Sequence, residues 1–179
     1  MKITETSIKG MYLIELDVHE DERGWFKENY QKKKLEELGL PEFDPVQNNF
    51  SFNKEAGVTR GLHAEPWDKF VSLANGKVFG AWVDLRPGDG FGKVFTGEIT
   101  PKTAFFIPKG VANGYQTLEA NVTYAYLVND YWSADKNYKA VNLFDPKLNI
   151  SWPIPADKAI VSQKDLANPA LEEIEPMEF

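Results

Sequence analysis

Val78-Phe79-Gly80-Ala81-Trp82-Val83-Asp84-Leu85 is the stretch that decides the fold class of this chain. Phe79, Ala81, Val83 and Leu85 alternate with Val78, Gly80, Trp82 and Asp84, which is the period of a β-strand, and the run is rich in β-branched and aromatic residues. Arg86-Pro87-Gly88-Asp89-Gly90 then breaks it with turn residues. The same alternation of apolar run and turn recurs on both sides. Strands are expected at 11–16, 94–99, 103–107 and 122–128, with turns every ~8–12 residues, the signature of an all-β sandwich or barrel. One helix is expected, at 32–38, with charged residues around Leu35 and Leu38 and Gly39-Leu40-Pro41 to end it. Pro146, Pro153, Pro155, Pro169 and Pro176 predict coil and short helical turns wrapping the β-core from about residue 146. No repeat or low-complexity linker divides the sequence, so residues 1–179 read as a single domain, an all-β jelly roll or barrel with a few short helices.

Composition narrows the function classes. The 179 residues suffice for one good core, and 42% are hydrophobic, which argues for a folded globule. There is no cysteine, so neither disulfides nor thiolate metal sites are available. The first residues, Met1-Lys2-Ile3-Thr4-Glu5-Thr6-Ser7, have no apolar signal-peptide core, and no run approaches the ~18 apolar residues of a membrane helix. A cytoplasmic location is expected. The net charge of −7 disfavours nucleic acid and anionic membranes as partners. It leaves room for a small anionic ligand held by a few converging cations.

The chain has two histidines, and one stands in Arg60-Gly61-Leu62-His63, six residues ahead of Lys69. Histidine is the usual proton-transfer group near neutral pH, and Arg60 and Lys69 suit an anion or a developing oxyanion. Four other segments carry polar or aromatic side chains in the same way. They are Asp21-Glu22-Arg23-Gly24-Trp25-Phe26-Lys27-Glu28, Val46-Gln47-Asn48-Asn49, the loop Ile107-Pro108-Lys109-Gly110-Val111-Ala112-Asn113-Gly114-Tyr115-Gln116, and Tyr124-Ala125-Tyr126 with Asn129-Asp130-Tyr131-Trp132. Tyr124 and Tyr126 share one strand face. Taken singly, each has a plainer reading. Arg23 can pair with Glu22 or Glu28 at the surface, Tyr126 and Trp132 can be core aromatics, Asp165 can serve the helix cap beside Ser162, and Gly110 and Gly114 can serve turns. His19, beside Glu20-Asp21-Glu22, reads as surface or structural. Two histidines on different segments are too few for a metal-binding jelly roll.

Together these motifs, in their order and spacing from about Asp21 to Pro169, resemble the dTDP-4-dehydrorhamnose 3,5-epimerase family. The resemblance implies a cupin-like jelly-roll homodimer that uses neither metal nor redox cofactor. It implies inversion of C3 and C5 of dTDP-4-dehydro-6-deoxy-D-glucose, the two carbons flanking the C4 ketone, on the way to dTDP-L-rhamnose. By the same resemblance His63 is the base, Asp165 orients it, Lys69 lies near the ketone oxygen, and Tyr126 is the acid. Arg23 and Arg60 are implied to bind the diphosphate and sugar, Glu28, Gln47 and Asn49 the nucleotide, and Trp132 to stack on the thymine. Phe26, Asn48, Asn113, Tyr131 and Lys164 complete the implied substrate-binding set. Asn113 and Leu127 depart from the histidine and lysine found at those positions in many members, and the segment between His63 and Lys69 is shorter, as in a streptococcal-type branch. Asn113 keeps a donor and an acceptor but cannot titrate. Alternatives are a C3-only or C5-only epimerase, a ketoisomerase on a related nucleotide sugar, and a non-catalytic sugar-binding jelly roll. The last is disfavoured by the joint presence of His63, Tyr126 and Asp165.

Overall fold

The strand Val78–Asp84 is buried on both faces, and that governs the architecture around it. The structure, a computed structural model, describes residues 1–179. In chain order the strands are β1 (Lys2–Glu5), β2 (Tyr12–Glu15), β3 (Val18–Asp21), β4 (Gly24–Lys27), β5 (Gln47–Asn53), β6 (Thr59–Ala64), β7 (Lys69–Asn75) and β8 (Val78–Asp84). They continue with β9 (Val94–Ile99), β10 (Thr103–Ile107), β11 (Val111–Thr117), β12 (Val122–Val128) and β13 (Lys139–Ala140). The helices are α1 (Lys32–Glu37) and the single turn α2 (Gln163–Leu166). One sheet has the order β1-β2-β10-β7-β12-β5, the other β13-β6-β11-β8-β9, and β3 and β4 form a separate hairpin. All the pairings between these strands are antiparallel. This is a β-sandwich of the jelly-roll kind, as the alternation of strands and turns leads one to expect.

Between the sheets Val78 and Trp82 of β8 pack with Val71, Leu73, Phe105, Tyr115 and Tyr124. Gly80 lies between Val78 and Trp82 on that face, and a Cβ there would come within 2.5 Å of the Trp82 ring. The other face of β8 carries Ala81 and Val83, with Leu85 just beyond. It is covered by Leu143, Leu148 and Met177. The chain from Val141 onward, most of it proline-rich, thus supplies the second apolar layer that a strand buried on both sides needs. Gln116, fully buried on β11, fastens that segment: its amide donates to Ile154 O (2.9 Å) and accepts from Ile154 N–H (2.7 Å).

The outer face of the six-stranded sheet is closed by α1 and the coil after it, with Leu35, Leu40 and Phe43 on Phe70 and Phe106. The Gln31 side chain caps α1 by accepting from Lys34 N–H, and Gly39 leaves it with φ +97°. Leu127 packs against this cluster, on the face of β12 opposite Tyr126. The segment read as a loop through Gly114 is strand from Val111 onward. Only Gly110 (φ +78°) occupies the turn, while Gly114 pairs within β11.

Candidate active site

The inward faces of both sheets and the segment 160–165 enclose a cleft of about 460 Å³. β6 supplies Arg60 and His63, β7 Lys69, β11 Asn113 and Tyr115, β12 Tyr124 and Tyr126, and the C-terminal segment Asp165. How β6 is held explains the arrangement. A Cβ on Gly61 would stand 2.6 Å from Gly114 Cα, and one on Gly114 2.7 Å from Arg60 O, so two facing glycines let β6 and β11 approach closely. The register shifts there, and His63 falls opposite Asn113.

His63 Nε2 is 2.7 Å from Asp165 Oδ1. The Asp165 side chain is 8% exposed and that of His63 41%. Asp165 comes from α2, whose Ser162 hydroxyl accepts the Asp165 N–H at 3.1 Å, so Ser162 is the cap and the Asp165 carboxylate is free for His63. Asn168 ties α2 to β6 by donating to Gly61 O (3.2 Å).

Lys69 forms an ion pair with Glu65 and donates to Asn113 Oδ1 (2.6 Å). The Asn113 amide donates onward to the Tyr124 hydroxyl at 3.5 Å. Tyr124 stacks on Tyr115, with centroids 4.0 Å apart, and Tyr126 stands beside it. Burial, and then the charge of Glu65, hold the Tyr126 hydroxyl above its ordinary pKa, against the pull of Arg60. Burial pushes the fully enclosed Tyr124 up much further. Tyr126 is therefore a phenol, able to give a proton, throughout the neutral range. Arg60 uses its Nε to donate to Asn53 Oδ1 (3.0 Å), which also accepts from the Tyr115 hydroxyl (3.2 Å).

The cleft thus unites His63, Lys69, Tyr126, Asp165, Arg60 and Asn113. Gln47 and Asn49, joined by a 2.8 Å hydrogen bond, lie on the same face of β5 as the cleft residue Ser51, and Asn49 is paired with Tyr126. Asn48 is on the opposite, exposed face with Phe50 and Phe52. Arg23 is in the β3–β4 turn and pairs with Asp21, not with Glu22 or Glu28. Phe26 is exposed on the same hairpin, and Glu28 pairs with Lys34 of α1. These three are not in the cleft. Tyr131 and Trp132 follow β12 and are 61% and 65% exposed, so Trp132 is not a core residue. Lys164 is exposed on α2. Sequence reasoning missed Glu65, Tyr115 and Asn53. Glu65 stands four residues before Lys69, but a proline between them hides the pairing. Tyr115 was concealed by reading its strand as a loop.

Residues 5–173 match the model of the dTDP-4-dehydrorhamnose 3,5-epimerase family. An RmlC homologue of Streptococcus pyogenes serotype M6 is 49% identical over 177 residues, covering 95% of this chain and 89% of its own. The solved structure of RmlC from Streptococcus suis in complex with dTDP-D-xylose is 46% identical. It superposes with a TM-score of 0.93 over 98% of this chain and 94% of that one. RmlC from Legionella pneumophila, solved with dTDP-4-keto-L-rhamnose, is 36% identical, with a TM-score of 0.86 over 97% and 94% of the two chains.

Proposed function

This chain belongs to the dTDP-4-dehydrorhamnose 3,5-epimerase family, and we propose that its inter-sheet cleft carries out the family's reaction with His63 as base, Tyr126 as acid and Lys69 as oxyanion donor. The enzyme inverts C3 and C5 of dTDP-4-dehydro-6-deoxy-D-glucose, giving dTDP-4-dehydro-L-rhamnose for dTDP-L-rhamnose synthesis. Each inversion begins at a C–H bond alpha to the C4 ketone. The Asp165 carboxylate accepts a hydrogen bond from the Nε2–H of His63, which keeps the lone pair on Nδ1. That nitrogen removes the proton, the C–H electron pair becomes the enolate double bond, and negative charge collects on the C4 oxygen. Lys69 donates to that oxygen. Tyr126 returns a proton to the carbon from the other face, and solvent then reprotonates Tyr126 and discharges His63. Only protons move, and no oxidation state changes.

The observation that carries this reading is the 2.7 Å His63–Asp165 pair sharing one cleft with Lys69 and a protonated Tyr126. Arg60 binds the diphosphate at the cleft, Gln47 and Asn49 the nucleotide, and the exposed Trp132, with Tyr131 beside it, stacks on the base. The protein works in the cytoplasm as a homodimer. Phe50 and Phe52 on the edge strand β5, with Trp25 and Phe26 on the hairpin, are exposed aromatic surface that a second copy would cover. Since Arg23, Phe26 and Glu28 lie outside their own chain's cleft, they serve substrate only across such an interface.

The test is proton exchange in D2O followed by NMR. The wild type incorporates deuterium at both C3 and C5, and folded His63→Asn incorporates none. Uptake at one carbon alone would make the protein a mono-epimerase, and uptake at neither would leave a binding protein.

A further inference from the structure

Besides Asp165, the cleft holds one other acidic side chain, Glu65. It stands where the chain leaves the five-stranded sheet at the end of β6, and Lys69 opens β7 in the other sheet. The connection between them is fixed at several points. Gly110 N–H donates to Glu65 O (3.1 Å), Lys109 N–H to Asp68 Oδ1 (2.9 Å), and Asp68 exchanges two 2.9 Å hydrogen bonds with Asn129. Both side chains are withdrawn from water, at 6% exposure for Lys69 and 16% for Glu65. An ammonium group has three N–H donors on a flexible stem. Glu65 pairs with it as counter-ion, and Asn113 Oδ1 accepts one of its N–H groups.

We propose that Glu65 is a positioning residue of the epimerisation, fixing the Lys69 ammonium together with Asn113 so that a remaining N–H is aimed at the enolate oxygen. This rests on the reading of Lys69 as oxyanion donor. A donor aimed before the charge develops needs no reorganisation at the moment of reaction, and that makes it effective in a site shielded from water. Without Glu65 the ammonium would be a buried charge lacking its counter-ion, free to swing toward other acceptors. Glu65 also acts on the acid, because its charge adds to burial in keeping the Tyr126 hydroxyl protonated. The other charged and titratable groups facing the cleft are Arg60, His63, Lys69, Tyr115, Tyr124 and Asp165. Of these, Arg60 opposes Glu65 at Tyr126 and Tyr115 reinforces it.

Glu65→Gln, Glu65→Ala, Lys69→Met and the double variant Glu65→Gln/Lys69→Met test this on the full chain. Turnover of dTDP-4-dehydro-6-deoxy-D-glucose is the readout, with thermal melting and dTDP affinity as checks on the fold. Glu65→Ala is expected to lower kcat by about 10²-fold, the scale of one lost oxyanion donor. Glu65→Gln should lose less, because its amide oxygen still accepts from Lys69. KM should stay within about threefold, as for an interaction made only in the transition state. In both Glu65 variants the alkaline limb belonging to Tyr126 should move to lower pH, a change that a purely structural role would not produce. The double variant should be no slower than Lys69→Met, since contacting residues acting as one unit are not additive. A folded Glu65→Gln with wild-type kcat and an unmoved alkaline limb overturns the proposal, as do losses that multiply in the double variant. An active Lys69→Met removes the oxyanion reading and this inference together. An inactive Lys69→Met beside a normal Glu65→Gln removes this inference alone. If Glu65→Ala does not fold, the glutamine variants decide.

Discussion

His63 Nε2 and Asp165 Oδ1 meet at 2.7 Å although 102 residues separate them in the chain. The contact joins a strand of the five-stranded sheet to a one-turn helix in the wrapping segment, so the pair reports on both at once. Asp165→Asn keeps the volume but loses the charge that, in the proposed mechanism, fixes the tautomer and stabilises the imidazolium. We expect kcat to fall by about 10²–10⁴-fold. Exchange of the C3 and C5 protons should fall in parallel. Melting should stay close to wild type if the Ser162 cap and the Asn168 contact hold α2 in place. Undiminished exchange would mean that His63 works without Asp165.

Tyr126→Phe removes the hydroxyl proposed as the acid and keeps the ring. Deuterium uptake driven by His63 should persist while inversion falls, and NMR of the product sugar separates the two. In the wild type the Tyr126 hydroxyl is raised above the ordinary 10.0, so its acid form is lost only as pH climbs through that raised value. The limb of kcat belonging to Tyr126 should accordingly lie above pH 10. A limb near neutrality that vanishes in Tyr126→Phe would contradict this.

Arg60 spends only its Nε on Asn53. Charge-assisted contacts to phosphate contribute roughly 1.5–3 kcal/mol each. Arg60→Ala should weaken dTDP binding by about tenfold or more in calorimetric titration and lower its salt dependence. Unchanged affinity would place the diphosphate elsewhere.

Trp132, at 65% exposure, has little packing to lose. Trp132→Ala should leave the melting temperature within a degree or so, as for most surface substitutions. It should raise KM with kcat nearly constant, by an amount matching about 1–3 kcal/mol of base stacking, and Trp132→Phe should recover part of the loss. If KM does not move, Tyr131 becomes the stacking candidate.

Gly61 has φ +123° and faces Gly114 Cα at a distance no Cβ tolerates. Gly61→Ala combines that clash with backbone strain, and we expect a loss of about 3 kcal/mol or more. At roughly 2–4 °C per kcal/mol for a chain of this size, melting should drop by about 6–12 °C, with activity falling as β6 shifts. A variant as stable as wild type would show that the two strands can part cheaply.

Strands such as Val94–Ile99, Thr103–Ile107 and Val122–Val128 were legible because β-branched and aromatic residues fill them between clear turns. Two strands at the cleft and its edge were harder to read. β11 holds Asn113, Gly114 and Gln116, and β5 holds Gln47, Asn48 and Asn49, polar or small residues that weaken any pattern based on propensity. β8 gave a clear period, but period alone does not say that both faces are buried. That depends on Leu143, Leu148 and Met177 folding back over Ala81 and Val83. Of the site, His63, Lys69, Tyr126 and Asp165 could be named from motifs. Glu65 could not, because its value lies in a contact made across the turn between sheets.

The covering of Ala81, Val83 and Leu85 by Leu143, Leu148 and Met177 has a bearing on biosynthesis. Translation delivers β6, β8 and β11 well before it delivers their cover, so the nascent chain presents a bare apolar sheet face to the cell. Late closure of that face also brings in Asp165. The emerging protein is therefore inactive and prone to self-association until the strap docks. Chaperone demand should accordingly be highest for chains stalled between β12 and the Ile154 contact with Gln116.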